Sequence, residues 1–167
     1  MTGRVEAPPG EVLVLGLGNS LQADDGAGPR VVEMLAHHSD LPANVRVMDG
    51  GLPGWGLPSW LEGWSNLILV DAVDMGASPG EWRCFRWEDH EDWVLWMEDE
   101  ALSLHQPGLA NGLALAQALD MLPEKLLLYG IQPGNIEAGS TLSPQVSASL
   151  PGLVEAILDE LNRFFQT

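Results

Sequence analysis

The sequence is poor in sulfur and in positive charge, and each shortage excludes a class of function. The single cysteine, Cys84, cannot form an internal disulfide or a cysteine-rich zinc site. It lies in an alternating stretch, where we interpret it as a core residue rather than a nucleophile. Lysine and arginine number 7 against 24 acidic residues, for a net charge of −17. Such a surface repels phosphate backbones, so we expect no nucleic-acid partner.

Long apolar runs and the common protease motifs are also absent from the sequence. No apolar stretch approaches the roughly 20 residues that span a bilayer, and residues 1–10 lack a signal-peptide pattern. We therefore expect no membrane association and a cytoplasmic location. Neither G-x-S-x-G nor H-E-x-x-H occurs, so a serine triad or a zincin protease has no support.

What the sequence does contain is an alternation of strand and helix patterns within 167 residues, which we interpret as a single domain over 1–167. The predicted strands are 11–17, 45–48, 66–70, 81–87 and 125–131. The predicted helices are 26–38, 57–64, 108–121 and 143–165, with a break at Pro151 left open. This order predicts an α/β fold with a twisted, mostly parallel five-stranded sheet and helices on both faces.

Open sheets of this kind bind ligands beyond the carboxyl ends of their strands, and four polar side chains fall there. Asp24 and Asp25 enter the first helix, where one can cap it; a cap plus a solvated aspartate is the simpler interpretation. Asp71 ends a buried strand, where it could either contact a ligand or brace the loop. His105 precedes a helix. Two carboxylates and an imidazole would suit a divalent metal with open positions, but spacing alone does not prove that they converge.

The glycine-containing loop Gly16–Asn19 raises a second possibility, a dinucleotide-binding site. The match is weak because the third glycine of G-x-G-x-x-G would fall at Leu21. We therefore expect no nucleotide cofactor.

Five segments, taken together and in chain order, resemble the signature motifs of the nickel-iron hydrogenase maturation proteases. They span nearly the whole chain, and their joint pattern is far more specific than any one of them. The segments are Gly16–Gly28, Asp49–Gly51, Leu69–Asp74 with Pro79–Glu81, His105–Gln106, and Gly130–Pro133.

The resemblance implies an aspartic-type endopeptidase that removes the C-terminal extension of a nickel-loaded large-subunit precursor. Asp25, Asp71 and His105 match the family's metal-contacting positions, with Asp25 where some members have glutamate. They are therefore expected to be both the catalytic and the metal-contacting residues. The nickel would be supplied by the substrate, so these residues would sense a completed insertion. Whether they also polarise the scissile carbonyl or activate water is left open.

The resemblance also implies a substrate-binding segment and a partner. Asp49, Gly50 and Gly51 are expected to bind substrate, with Asp49 acting either in acid-base chemistry or as a loop anchor. The expected partner is the hydrogenase large-subunit precursor, bound by a monomer. The alternative is a metal-dependent partner-binding module that does not cleave. The segment 87–100, rich in tryptophan and carboxylate, is either a partner-binding loop or an amphipathic helix over the core.

Overall fold

The computed structural model describes residues 10–88 and 108–166, and these residues form one five-stranded sheet flanked by helices. Four strands run parallel in the order β2-β1-β3-β5, and β4 joins the edge antiparallel to β5. The predicted fold class is therefore confirmed. The strands are β1 (Val12–Leu17), β2 (Val45–Gly51), β3 (Asn66–Ala72), β4 (Trp82–Arg86) and β5 (Lys125–Ile131).

Helices cover both faces of the sheet, which explains why β1 is apolar throughout. All six residues of β1 are buried. Val12 and Val14 pack in a cluster with α1 and α4, whereas Leu13 and Leu15 pack on the opposite face with α2 and α3. The helices are α1 (Ala27–Ala36), α2 (Leu57–Leu61), α3 (Leu109–Ala118) and α4 (Pro144–Phe164), with 3₁₀ turns at Ala23–Gly26 and Gly54–Gly56.

Two glycines of the first motif let α1 begin directly against the ends of β1 and β3. A Cβ atom on Gly28 would lie 2.2 Å from the Leu17 carbonyl oxygen and 2.5 Å from that of Val70. A Cβ atom on Gly16 would lie 2.5 Å from the carbonyl oxygen of Gly28. These glycines therefore have a packing role, because only a hydrogen fits between helix and sheet.

β2 is longer than the sequence predicted, and the break left open at Pro151 does not occur. β2 continues past Met48 through Asp49–Gly51, because Asp49 and Gly51 pair with the end of β1 and Gly50 forms a bulge between them rather than stopping the strand. The last helix runs unbroken through Pro151. Proline removes one backbone hydrogen bond there, and the buried apolar face of α4 on the sheet holds the helix together. None of the described helices is long and apolar enough to cross a membrane.

Two side-chain predictions were wrong. Cys84 is exposed, not part of the core, because it lies on the edge strand β4. Asp24 and Asp25 do not cap α1. Its N-cap residue is Gly26, which has no side-chain hydrogen bond, and both aspartates belong to the preceding 3₁₀ turn.

Candidate active site

The carboxyl ends of the four parallel strands meet at one edge of the sheet, and each strand has a polar residue of the predicted motifs close to its end. The loop after β1 carries Asp25, Asp49 lies near the end of β2, Asp71 is the next-to-last residue of β3, and Gln132 follows β5. A parallel sheet brings these positions together although they are far apart in sequence.

Asp25 and Asp71 interact electrostatically at this edge. Burial first, and then the negative charge of Asp25, raise the pKa of Asp71 to about 8, against a smaller lowering effect of the hydrogen bond with the Ala72 backbone. The Asp25 Oδ2 atom accepts a hydrogen bond of 2.8 Å from the Asn19 amide. Within the described residues, neither carboxylate forms an ion pair. The pair is therefore a site that a cation would stabilise.

Asp24 has a different environment from its neighbour and is fully buried. Its carboxylate accepts hydrogen bonds from the amides of Gly134, Asn135 and Ser143 and from the Ser143 hydroxyl. Burial alone would raise the pKa of Asp24, but these hydrogen bonds outweigh it and hold the pKa below its ordinary value. Neither aspartate is therefore the expected cap, and Asp24 is not solvated.

Gln132, at the end of β5, organises the loop that follows β3. Its Oε1 atom accepts hydrogen bonds from the amides of Met75 at 2.6 Å and Ala77 at 3.2 Å. Its Nε2 atom donates to Asp74 Oδ1 at 3.1 Å. The nearly buried glutamine thereby fixes the loop next to Asp71, which gives the motif Gly130–Pro133 a structural reason.

Asp49 anchors a turn. Its Oδ1 atom accepts a hydrogen bond of 2.9 Å from the Gly51 amide, and the Gly51 carbonyl in turn accepts one of 2.9 Å from the Gly18 amide. Gly51 has a φ of +59°, which favours glycine. Gly50 lies against Leu15, where a Cβ atom would approach the side chain to 2.9 Å. The loop-anchor interpretation of Asp49 therefore has direct support, and an acid-base role stays a prediction.

Three large apolar side chains are exposed in the loops after β1 and β2. Leu21 is 70% exposed, Leu52 52% and Trp55 61%. The hydrogen bond between Gly18 and Gly51 joins these two loops. The three side chains lie at the same sheet edge as the carboxylates, and we call them the apolar rim.

His105 and most of the segment 87–100 lie outside the described residues. The structure therefore places two of the three predicted metal contacts, and among the residues it does describe no three histidine, cysteine or acidic side chains form a metal-binding group. The helix that follows His105 in sequence, α3, packs close to the sheet edge. A Cβ atom on its Gly112 would lie 2.7 Å from the Gly54 carbonyl oxygen, in the turn after β2.

The structural roles of two residues of this edge, Asp24 and Gln132, were not predicted. Asp24 was considered only as a helix cap or a solvated residue, because its partners Gly134, Asn135 and Ser143 are more than 100 residues away in sequence. Gln132 lies within a recognised motif, and that position was the one available signal.

Comparison with known sequences identifies close similarity to hydrogenase maturation proteins. Residues 29–160 match the family model described as hydrogenase maturation protease. The hydrogenase expression/formation protein HupD of Rhodobacter capsulatus is 40% identical over 154 residues, covering 92% of this chain and 72% of that protein. The hydrogenase 2 maturation protease of Escherichia coli K12 is 34% identical over 151 residues, covering 90% of each chain.

Solved structures show similarity to the same family. The hydrogenase maturating endopeptidase HybD from E. coli superimposes with a TM-score of 0.79 at 34% identity, covering 92% of this chain and 93% of that one. The [NiFe] hydrogenase maturation protease HybD from Thermococcus kodakarensis has a TM-score of 0.70 at 29% identity, covering 90% and 99%.

Proposed function

We propose that this chain, which belongs to the hydrogenase maturation protease family and is a peptidase, removes a C-terminal extension from a hydrogenase large-subunit precursor. The observation that carries the proposal is the pair Asp25 and Asp71, two coupled carboxylates at the carboxyl edge of the sheet. A peptidase needs groups that can hold and move protons at the peptide bond, and such a pair supplies them.

The second part of the proposal concerns nickel, which we treat as part of the substrate. Asp25, Asp71 and His105 would contact nickel already held by the precursor, and cleavage would follow only then. The carboxylates favour a cation because each lacks a cationic partner among the described residues. Oxygen and imidazole nitrogen donors are suitable for a borderline divalent metal.

In the reaction itself, water adds to the scissile carbonyl carbon and loses a proton, the carbon–nitrogen bond breaks, and the departing amine takes up a proton. Burial and the charge of Asp25 raise the pKa of Asp71 to about 8, and a cation that contacts the pair displaces any proton that Asp71 holds. We propose that the ionised pair takes up the proton that the attacking water loses and passes it to the departing amine. Asp25, held by the Asn19 amide, keeps the negative charge that raises the pKa of Asp71.

Substrate binding is assigned to Asp49, Gly50 and Gly51 together with the apolar rim. Asp49 fixes the backbone of the Gly50–Gly51 turn, at the same edge of the sheet as the carboxylates. The rim offers exposed apolar surface beside this turn, as expected where a protein partner docks. A monomer acting in the cytoplasm remains our expectation for the enzyme.

The test compares nickel-loaded with nickel-free precursor at equal concentration, with a chelator present to remove free metal. Added coordination worth even ~3 kcal/mol would favour loaded precursor by about a hundredfold, so mass spectrometry should detect loss of the extension from loaded precursor alone. Equal cleavage of both would refute nickel sensing and leave an unregulated peptidase. If stable binding occurs with no loss of mass from either, the non-cleaving binding module is the better explanation.

A further inference from the structure

We propose that Asp24 is a positioning residue, whose buried carboxylate fixes the first 3₁₀ turn so that the Asp25 carboxylate lies beside Asp71. The expected effect on cleavage rests on the function proposed above. The structural part of the proposal does not, because it concerns the contacts of described residues and can be tested without a substrate.

The carboxylate of Asp24 joins two segments that are distant in sequence. Its Oδ2 atom accepts hydrogen bonds of 2.8 Å each from the amides of Gly134 and Asn135 and from the Ser143 hydroxyl. Its Oδ1 atom accepts one of 2.6 Å from the Ser143 amide. Four hydrogen bonds to one fully buried carboxylate form a tether between the 3₁₀ turn and the segment 134–143 that leads into α4.

The backbone beside Asp24 follows an unusual path that requires this support. Ala23 has a φ of +43°, a strained conformation for a residue other than glycine. Backbone hydrogen bonds to the same distant segment hold it there. The Ala23 amide donates to Gly139 at 2.6 Å, and the Asp24 amide donates to Asn135 at 2.8 Å. The turn therefore depends on the segment 134–143 for its shape.

On its other side the turn presses against the end of β1. A Cβ atom on Gly18 would lie only 1.9 Å from the Asp25 carbonyl oxygen, and the Asn19 amide donates to the Asp25 side chain at 2.8 Å. The turn is thus held between β1 and the segment 134–143. Any relaxation of the Asp24 tether moves Asp25, and a misplacement of about 1 Å at a reacting group can cost on the order of a hundredfold in rate.

Replacing Asp24 by asparagine tests this tether with little change in volume. The new amide group brings donors to a site whose present partners are all donors, so at least one hydrogen bond must be lost. Ser143→Ala is the graded variant, because it removes the hydroxyl and leaves the three amide donors. Asp40→Asn is the matched control, since this exposed aspartate follows α1 at the opposite edge of the sheet.

Each variant is examined by two measurements. The Asn19 amide donates to the Asp25 carboxylate and not to Asp24, so its hydrogen exchange reports whether Asp25 has kept its place. Steady-state cleavage reports kcat and KM separately. For Asp24→Asn we expect a fall in Asn19 protection of about tenfold or more and a fall in kcat of about a hundredfold. We expect KM to stay within about threefold and Ser143→Ala to show smaller losses of both.

The proposal is overturned if a folded Asp24→Asn variant keeps Asn19 protection and kcat at the level of Asp40→Asn. If Asp24→Asn does not fold, Ser143→Ala decides, and unchanged values there overturn the proposal equally. If the unaltered protein cleaves no precursor at all, the proposed function has failed. The exchange of the Asn19 amide then still decides whether Asp24 positions Asp25.

Discussion

Replacing Asp71 by asparagine should stabilise the fold while abolishing cleavage, and the gain should depend on pH. Burial and the charge of Asp25 raise the pKa of Asp71 from an ordinary value of 3.8 to about 8. Between these values the folded state holds a proton that the unfolded state has lost. Stability therefore falls as pH rises from about 4 to about 8, and the loss is complete above pH 8. Asparagine has no proton to release, so the variant keeps its stability as the pH rises.

The size of the effect follows from the same two values. Each tenfold change in proton affinity corresponds to about 1.4 kcal/mol, so the ionisation penalty at pH 7 has an upper limit of ~4 kcal/mol. Asp71 is partly exposed, and water screens part of this penalty. We expect Asp71→Asn to raise the free energy of unfolding by about 1–3 kcal/mol at pH 7, and by close to nothing at pH 4.

The assay is urea unfolding of both proteins at several values between pH 4 and pH 9. Asp25→Asn provides the coupled variant. It removes the charge that raises the pKa of Asp71, so the gain from Asp71→Asn should be smaller in that background. A gain that is the same at pH 4 and pH 8, or a loss of stability at pH 8, would show that the Asp71 carboxylate is not destabilised as argued.

Three further substitutions separate chemistry, packing and docking. His105→Ala should abolish cleavage with unfolding free energy changed by no more than about 0.5 kcal/mol; a variant that unfolds would instead indicate a structural histidine. Gly18→Ala should lower the unfolding free energy by about 3 kcal/mol or more, because the residue has a φ of +130° and a Cβ atom there would meet the Asp25 carbonyl. Gly56→Ala is the control, since a Cβ atom there would lie in open space. Its unfolding free energy, measured by the same urea assay, should change by no more than about 1 kcal/mol. Trp55→Ala should raise KM severalfold with kcat and stability nearly unchanged, because the ring is exposed; unchanged KM would exclude it from docking.

The fold could be predicted from sequence because each buried strand carries its own local signal. β1 and β3 are continuous apolar runs, as strands covered on both faces must be. The boundary at Asp49–Gly51 was misjudged because glycines usually end a strand, whereas here they form a bulged extension against β1. Cys84 was misjudged because alternation shows that a strand has two faces but not that the strand lies at the edge of its sheet.

The site was predictable only in part. Residue patterns placed Asp25, Asp49 and Asp71 after strands, and a parallel sheet gathers such positions at one edge. The resemblance to a family supplied the roles that spacing alone left open. Neither source could reveal the partners of Asp24, since a carboxylate that accepts four hydrogen bonds from residues 134–143 has no local sequence signal. Whether His105 joins the two carboxylates stays a prediction.

The neighbouring carboxylates of Asp24 and Asp25 show how one turn can serve stability and chemistry at once. Asp24 is buried with four donors, so its charge is fully satisfied and fixed. Asp25 has one amide donor and lies near Asp71, so the charge of this pair is left without a neutralising partner in the described residues. The nickel sensing proposed above would require this second condition. If the pair had its own cationic partner, an arriving metal ion would bind there with little gain in electrostatic free energy. The gain is largest when the pair is unneutralised and the cation arrives with the docking substrate.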